Sequence, residues 1–334
     1  MELNSSSIKE TIQKAIDNPP KEWAILLLTL GLLVLSVYLS RSNGSLSTLP
    51  VIFGVLIILE LAYFVGKEVK EGTTKNGWKG ELLETFYALI IAVVIWQAAS
   101  FLLNTNSPVS AVASCSMLPN LDRGDFVIVQ GSEPLAYQIN MSAEQVASLT
   151  EPAAVSYSQG NVSISSTIFA YCQDSQNRNQ HICNEFYSTP QNFAEKKGAL
   201  TYHYGQCQNK ISGQRVYSPC VETVEFEGIK YETNFSHDVI VYQPKQTDLF
   251  ARVGDIVHRA YFRINAGGRE YYLTRGDNNP VLDIQIGNSP IEKQNMKGKV
   301  IARIPYLGYF KLLISGLIKE DAQCSTQLTF DHSN

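Results

Sequence analysis

The sequence predicts a membrane-anchored, mainly β protein, with three apolar helices at the N-terminus followed by a β-rich core that carries a large insert. Three observations predict it. Long apolar runs, with Glu60 as a charge inside the second, are confined to the first third, Val- and Ile-rich segments fill much of the rest, and four cysteines cluster in a polar stretch between those segments. The chain has 334 residues, enough for two or three domains. It is 45% hydrophobic and only 17% charged, yet its mean hydropathy is near zero, so the apolar residues must be concentrated. A net charge of -4 leaves no basic surplus for a nucleic-acid partner.

The apolar runs are expected to span a bilayer at about 23–40, 49–66 and 85–103. A cleaved signal peptide explains one run and leaves two over. Lys9, Lys14 and Lys21 precede the first run, and Lys67, Lys70, Lys75 and Lys79 separate the second from the third. The link between the first two carries only Arg41. The positive-inside rule then predicts a cytoplasmic N-terminus, and three crossings leave everything after Leu103 extracytoplasmic. Glu60, inside the second run, is expected to reach the headgroup layer or to pair with another span.

Cysteine usage agrees with an outside location. Cys172 and Cys183, and Cys207 and Cys220, are close in sequence and read as two local disulfides in an oxidising compartment. A zinc site with His181 and His203 competes, but the tight Cys-x-x-Cys spacing is missing. Cys115 and Cys324 are left as single thiols. Sequons at Asn140, Asn161 and Asn234 fit an exterior domain.

After the membrane runs, "DFVIVQ", "HDVIVYQP", "GDIVHRAYFRI", "EYYLTRGDNNP" and "KGKVIARIP" read as strands, several opened or closed by Gly-Asp turns. The expected organisation is a membrane anchor over 1–104, a β core over 105–130 and 237–306, an inserted disulfide-containing subdomain over 131–236, and an amphipathic segment and tail over 307–334. The closing apolar stretch, "PYLGYFKLLISGLIKED", is too short to span and carries Lys311.

The chemistry turns on "SCSMLPNLDRGDFVIVQ", Ser114 to Gln130. A serine hydroxyl becomes a nucleophile only with a base in hydrogen-bond reach and donors for the oxyanion. Of five histidines, His332 is in the tail and His181 and His203 are in the insert, which leaves His237 and His258 in the β core. His258 lies on a strand, on the same face as Ile256. A third group should orient that base, and "RGDNNPVLD" supplies Asp277 and Asp283. Asp277 sits in a turn, where such side chains often bond their own backbone. Asp283 lies beyond Pro280 and can return towards His258.

Four blocks in order, "SCSMLPNLDRGDFVIV", "DVIVY", "GDIVHRA" and "YLTRGDNNPVLD", with a closing "PYLGY", resemble signal peptidase I in its archaeal and endoplasmic-reticulum form, a serine protease of family S26. The resemblance covers about 100 residues of the β core. It implies a signal-peptidase/LexA-like β-rich core and no cofactor. It assigns Ser116 as nucleophile, His258 as general base in the place where bacterial relatives use lysine, and Ser114 as an aid to the Ser116 amide in holding the oxyanion. It offers Asp283 as the orienting acid with Asp277 in support. It implies signal peptides of exported preproteins and the bilayer as partners, with the Sec translocon as a further candidate neighbour. The chain departs from the family in its three expected spans, in Cys115 and in the insert. The runner-up readings are a catalytically inactive membrane-anchored binding module and a processing protease for a narrower set of surface proteins.

Overall fold

The computed structural model describes residues 24–25, 28–29, 31–32, 35–36, 49–211, 214–315, 324 and 326–329. Contacts divide the chain into two units, residues 1–96 with 313–318, and residues 97–312 with 319–334.

The first unit is helical where it is described. A helix covers Leu49–Leu102, with non-helical backbone at Gly77 (φ 70°, ψ 166°). No proline lies between Val51 and Gly77, so the helix does not stop where the second apolar run does; it continues through Lys67, Lys70 and Lys75. Among the described residues, one segment is long and apolar enough to cross a membrane: Gly77–Leu102, 26 residues with a mean hydropathy of 2.0 and no burial. One candidate span therefore stands in place of the three expected at about 23–40, 49–66 and 85–103, and most of the first lies outside the described residues. Glu60 is paired, since Thr29 Oγ1 of the first run donates to its Oε1 at 2.8 Å.

The second unit is β-rich. Its chain order is β1 (Val109–Ala111), β2 (Phe126–Gln130), β3 (Tyr137–Asn140), β4 (Ala153–Tyr157), β5 (Gly160–Ile164), β6 (Ala194–Lys197), β7 (Leu200–Ile211), β8 (Gln214–Phe226), β9 (Ile229–Glu232), β10 (Val239–Tyr242), β11 (Ile256–Ala266), β12 (Arg269–Arg275), β13 (Ile291–Glu292), β14 (Met296–Ile304) and β15 (Thr326–Thr329). One sheet runs β1-β2-β14-β10-β11-β12-β13, with β3 parallel on β11. The other runs β5-β4-β6-β7-β8-β9, with β15 on β7. Each strand expected from alternation falls in the first sheet: β2, β10, β11, β12 and β14.

The two sheets share one core. Phe262, Ile264 and Leu273 of the first pack in one cluster with Val155, Tyr202, Tyr204 and Val224 of the second. Fully burying one such side chain contributes on the order of 1.5–3 kcal/mol, so the second sheet is a structural partner of the first. Cys172–Cys183 and Cys207–Cys220 form disulfides, as expected, and leave none of the four as a thiolate for zinc. Cys115 and Cys324, expected to be single thiols, are joined to each other across 209 residues. Spacing could not show this, because only the tertiary fold brings their Cα atoms to 5.1 Å.

Candidate active site

The loop bearing Ser116 is held from two sides. Met117, next to it, is fully buried in a cluster with Val112, Leu121, Val127, Val129, Val241 and Val257. That apolar anchor fixes the backbone and leaves Ser116 half-buried and Ser114 exposed. From the other side, the turn after β12 grips the loop. Asn278 N donates to Ser116 O at 2.7 Å, and Asn278 Nδ2 donates to Cys115 O at 3.0 Å. Gly276 makes the approach possible, because a Cβ there would lie 2.7 Å from Ser116 O.

The imidazole beside Ser116 comes from β11. Its register against β10 pairs His258 with Ile240, deep in the first sheet. His258 Nε2 lies 2.9 Å from Ser116 Oγ, across 142 residues of sequence. On its other side, His258 Nδ1 lies 2.6 Å from Asp283 Oδ2. Asp283 opens a 3-10 turn, Asp283–Ile286, and is buried. A buried carboxylate only accepts, so the shared proton sits on Nδ1 and leaves Nε2 free to accept from the serine. Thr274 Oγ1 and Tyr242 Oη also donate to Asp283 Oδ2, at 2.5 and 3.0 Å. Burial, and then the charge of Asp283, hold the Tyr242 phenol well above its ordinary pKa, so it stays a donor.

Asp277 serves elsewhere. Arg259 Nε and Nη2 grip its two oxygens at 2.7 Å each, and Asn120 Nδ2 donates to it at 2.7 Å. Arg259 Nη1 donates to the carbonyls of Phe235 and His237, the former at 2.8 Å. This bidentate pair ties the turn after β12 to β11 and, through Asn120, to the loop that carries Ser116. Ser114 Oγ is 3.0 Å from Ser116 Oγ, and Ser116 N points to Ser114 Oγ at 3.5 Å. The hydroxyl and amide named for the oxyanion are thus gathered at the serine.

Sequence reasoning missed Tyr242, Thr274, Asn278, Arg259 and Asn120. Arg259 carried a signal, since it adjoins His258 in the "HR" pair; the others are ordinary strand and turn residues whose roles appear only once the chain is folded. The competing core histidine, His237, packs its ring edge-on against Tyr137 at 4.5 Å. His203 pairs with Glu225 at 2.9 Å, and His181 lies near Glu185.

Several fungal proteins are similar to this chain. "Signal peptidase complex catalytic subunit SEC11" of Verticillium alfalfae is 37% identical over 81 residues, which is 23% of this chain and 44% of the relative. The protein of the same name from Sclerotinia sclerotiorum is 35% identical over 81 residues, with the same coverage. That from Chaetomium globosum is 30% identical over 87 residues, 25% of this chain and 47% of the relative. The chain therefore spans somewhat less than half the length of the curated relatives it matches. No family model matches the chain, and no solved structure does. Through the matched segment the chain is related to the signal peptidase I family in its endoplasmic-reticulum form.

Proposed function

We propose that this chain is a membrane-bound serine endopeptidase that removes N-terminal signal peptides from exported preproteins on the extracytoplasmic side. The observation that carries the reading is the continuous hydrogen-bonded line Ser116–His258–Asp283. His258 Nε2 takes the Ser116 proton as the oxygen attacks the scissile carbonyl. The imidazolium that forms is stabilised by Asp283, which holds Nδ1 and does not itself take the proton. The Ser116 amide and the Ser114 hydroxyl receive the developing oxyanion. His258 then gives its proton to the leaving amine, and the acyl-enzyme is released by a water that the same imidazole deprotonates.

The SEC11 relatives supply the substrate class through their printed names, and the resemblance supplies small residues at the -1 and -3 positions. The anchor reading supports the same activity. A substrate whose apolar segment lies in the bilayer meets a surface-held site without a three-dimensional search. The apolar helix Gly77–Leu102 ends 14 positions before Ser116, and the N-terminal lysines favour a cytoplasmic N-terminus. We read residues 105–130 with 237–306 as the peptidase core and 131–236 as its insert, and we place the Sec translocon upstream as the source of emerging preproteins.

The test is direct. The full chain in detergent should cleave a preprotein with an Ala-x-Ala site, and Ser116→Ala and His258→Ala should each abolish the cleavage. Cleavage that survives both substitutions removes the assigned site, and no cleavage of any exported preprotein by the intact chain favours a binding module.

A further inference from the structure

We infer that Glu195 and Tyr204 of the insert are positioning residues for Asp283, acting through Gln285. The inference rests on the proposed peptidase reading for its importance, but its geometry stands apart from it.

Asp283 opens the turn Asp283–Ile286, and Gln285 is the residue that closes that turn on itself. Gln285 Oε1 accepts from Leu282 N at 3.0 Å, directly before Asp283. The other end of the same amide reaches into the second sheet. Gln285 Nε2 donates to Tyr204 Oη at 3.0 Å and to Glu195 Oε1 at 3.3 Å. The Glu195 carboxylate is in turn fixed through Oε2, which accepts from Tyr204 Oη at 2.9 Å and from Ile168 N at 2.8 Å. Every atom of the Gln285 amide group that can bond is therefore engaged, with one end on the turn and the other on β6 and β7. Beside it, Lys197 Nζ of β6 donates to Ile284 O at 3.4 Å.

The connection is held at its start as well. Val221 N of β8 donates to Pro280 O at 2.8 Å, and Val221 O accepts from Arg275 Nη1 at 2.7 Å. The segment from Arg275 to Ile286 carries both aspartates, and the insert sheet supports it at each end.

A fully buried carboxyl is a costly way to fill a core, since burial removes it from water and opposes its charge. Burial raises the Glu195 carboxyl above its ordinary range, against the pull of the three donors. An apolar residue would pack a sheet without that cost, but it would not orient an amide. The demand for orientation comes from the 2.6 Å bond between Asp283 and His258, which a small shift of the turn breaks.

Two readouts test this on the full chain in detergent: kcat and KM for an Ala-x-Ala preprotein, and the low-field Nδ1 proton resonance of His258 in histidine-labelled protein. Glu195→Ala should lower kcat about 10–100-fold with KM nearly unchanged, and should move or broaden that resonance. Glu195→Gln should lose less. Tyr204→Phe, which keeps the ring and removes only the hydroxyl, should show the same pattern if Glu195→Ala fails to fold. Val155→Ala, a buried change in the same sheet, should lower the melting temperature and leave both readouts alone. If Glu195→Ala and Tyr204→Phe behave like Val155→Ala, the inference is overturned. If the wild-type chain cleaves nothing but the resonance moves in Glu195→Ala, the positioning role stands and the peptidase reading falls.

Discussion

Asp283 and His258 meet Oδ2 to Nδ1 at 2.6 Å, both buried, although 25 residues and a β-hairpin separate them in the chain. Three donors converge on that single oxygen, from His258, Thr274 and Tyr242. Its sister, Oδ1, has no hydrogen-bond partner among the described residues. The carboxylate is thus held for one acceptor position, the one facing the imidazole.

The two aspartates should therefore separate by kinetics. Asp283→Asn is expected to lower kcat/KM by about 10³–10⁴-fold, because an amide nitrogen facing Nδ1 favours the wrong imidazole tautomer. Asp277→Ala should act mainly on stability, by roughly 3–5 kcal/mol, because it leaves the Arg259 guanidinium short of its buried partner. Steady-state rates on a preprotein, paired with denaturant unfolding, would check both. A larger rate loss at Asp277 than at Asp283 would reverse the assignment.

Gly276→Ala places a methyl group 2.7 Å from Ser116 O, and that oxygen belongs to the loop backbone, which the turn holds by two hydrogen bonds. The loop must move. We expect kcat to fall on the order of 100-fold from misplacement of the serine, with KM little changed. Wild-type kcat in this variant would show that the loop and the turn are not coupled.

His237 sets a pH signature of stability. Burial, reinforced by the charge of nearby Arg259, holds its imidazole below the ordinary histidine value, against a backbone hydrogen bond to Ala260 and the charge of Asp238. Below about pH 6.5 the unfolded chain takes up a proton that the folded one resists. Its contribution is therefore present above that pH and is lost as the pH falls from there towards the lower folded value. Melting temperatures measured from pH 7.5 to 5 should fall less steeply in His237→Gln than in the wild type. Equal slopes would remove His237 from the explanation.

Cys115 sits beside the proposed nucleophile and is paired with Cys324. Digestion without reduction should yield a peptide joining the two, and no free thiol should be alkylated in the native chain. Cys324→Ser should cost about 2–4 kcal/mol of stability and leave the Cys115 thiol behind. Recovery of unlinked Cys115 and Cys324 peptides from the wild type would refute the pairing.

Much of the first sheet was legible in the sequence. Alternation in "DFVIVQ" and the Val- and Ile-rich runs "HDVIVYQP" and "GDIVHRAYFRI" mark strands, and those segments became β2, β10 and β11; β2 alternates in burial, whereas β10 and β11 are buried on both faces. The local disulfides were legible because short loops bring their cysteines together. The anchor was less so. Three apolar runs met a length criterion, but the helix through the second runs on past three lysines to Gly77, and one described segment passes as a span. The second sheet was read only as a polar insert, because its composition is polar and its inward-facing residues, such as Tyr202, Tyr204 and Glu195, do not look apolar in sequence.

The sequence by itself determined which residue types were available for chemistry: a serine before a methionine, two histidines in the β core, and two acids in one connection, Asp277 in its turn and Asp283 beyond Pro280. Local pattern reports these because strand alternation and turn chemistry act over a few residues. It could not decide which acid meets the histidine. Asp277 and Asp283 are six positions apart in one connection, and only the packing of that connection sends one to Arg259 and the other to His258. Nor could it show what holds the connection in place, since Glu195 and Tyr204 lie some 80 to 90 positions before Gln285. Hydrogen bonds of that separation follow from sheet register and core closure, which are properties of the folded chain.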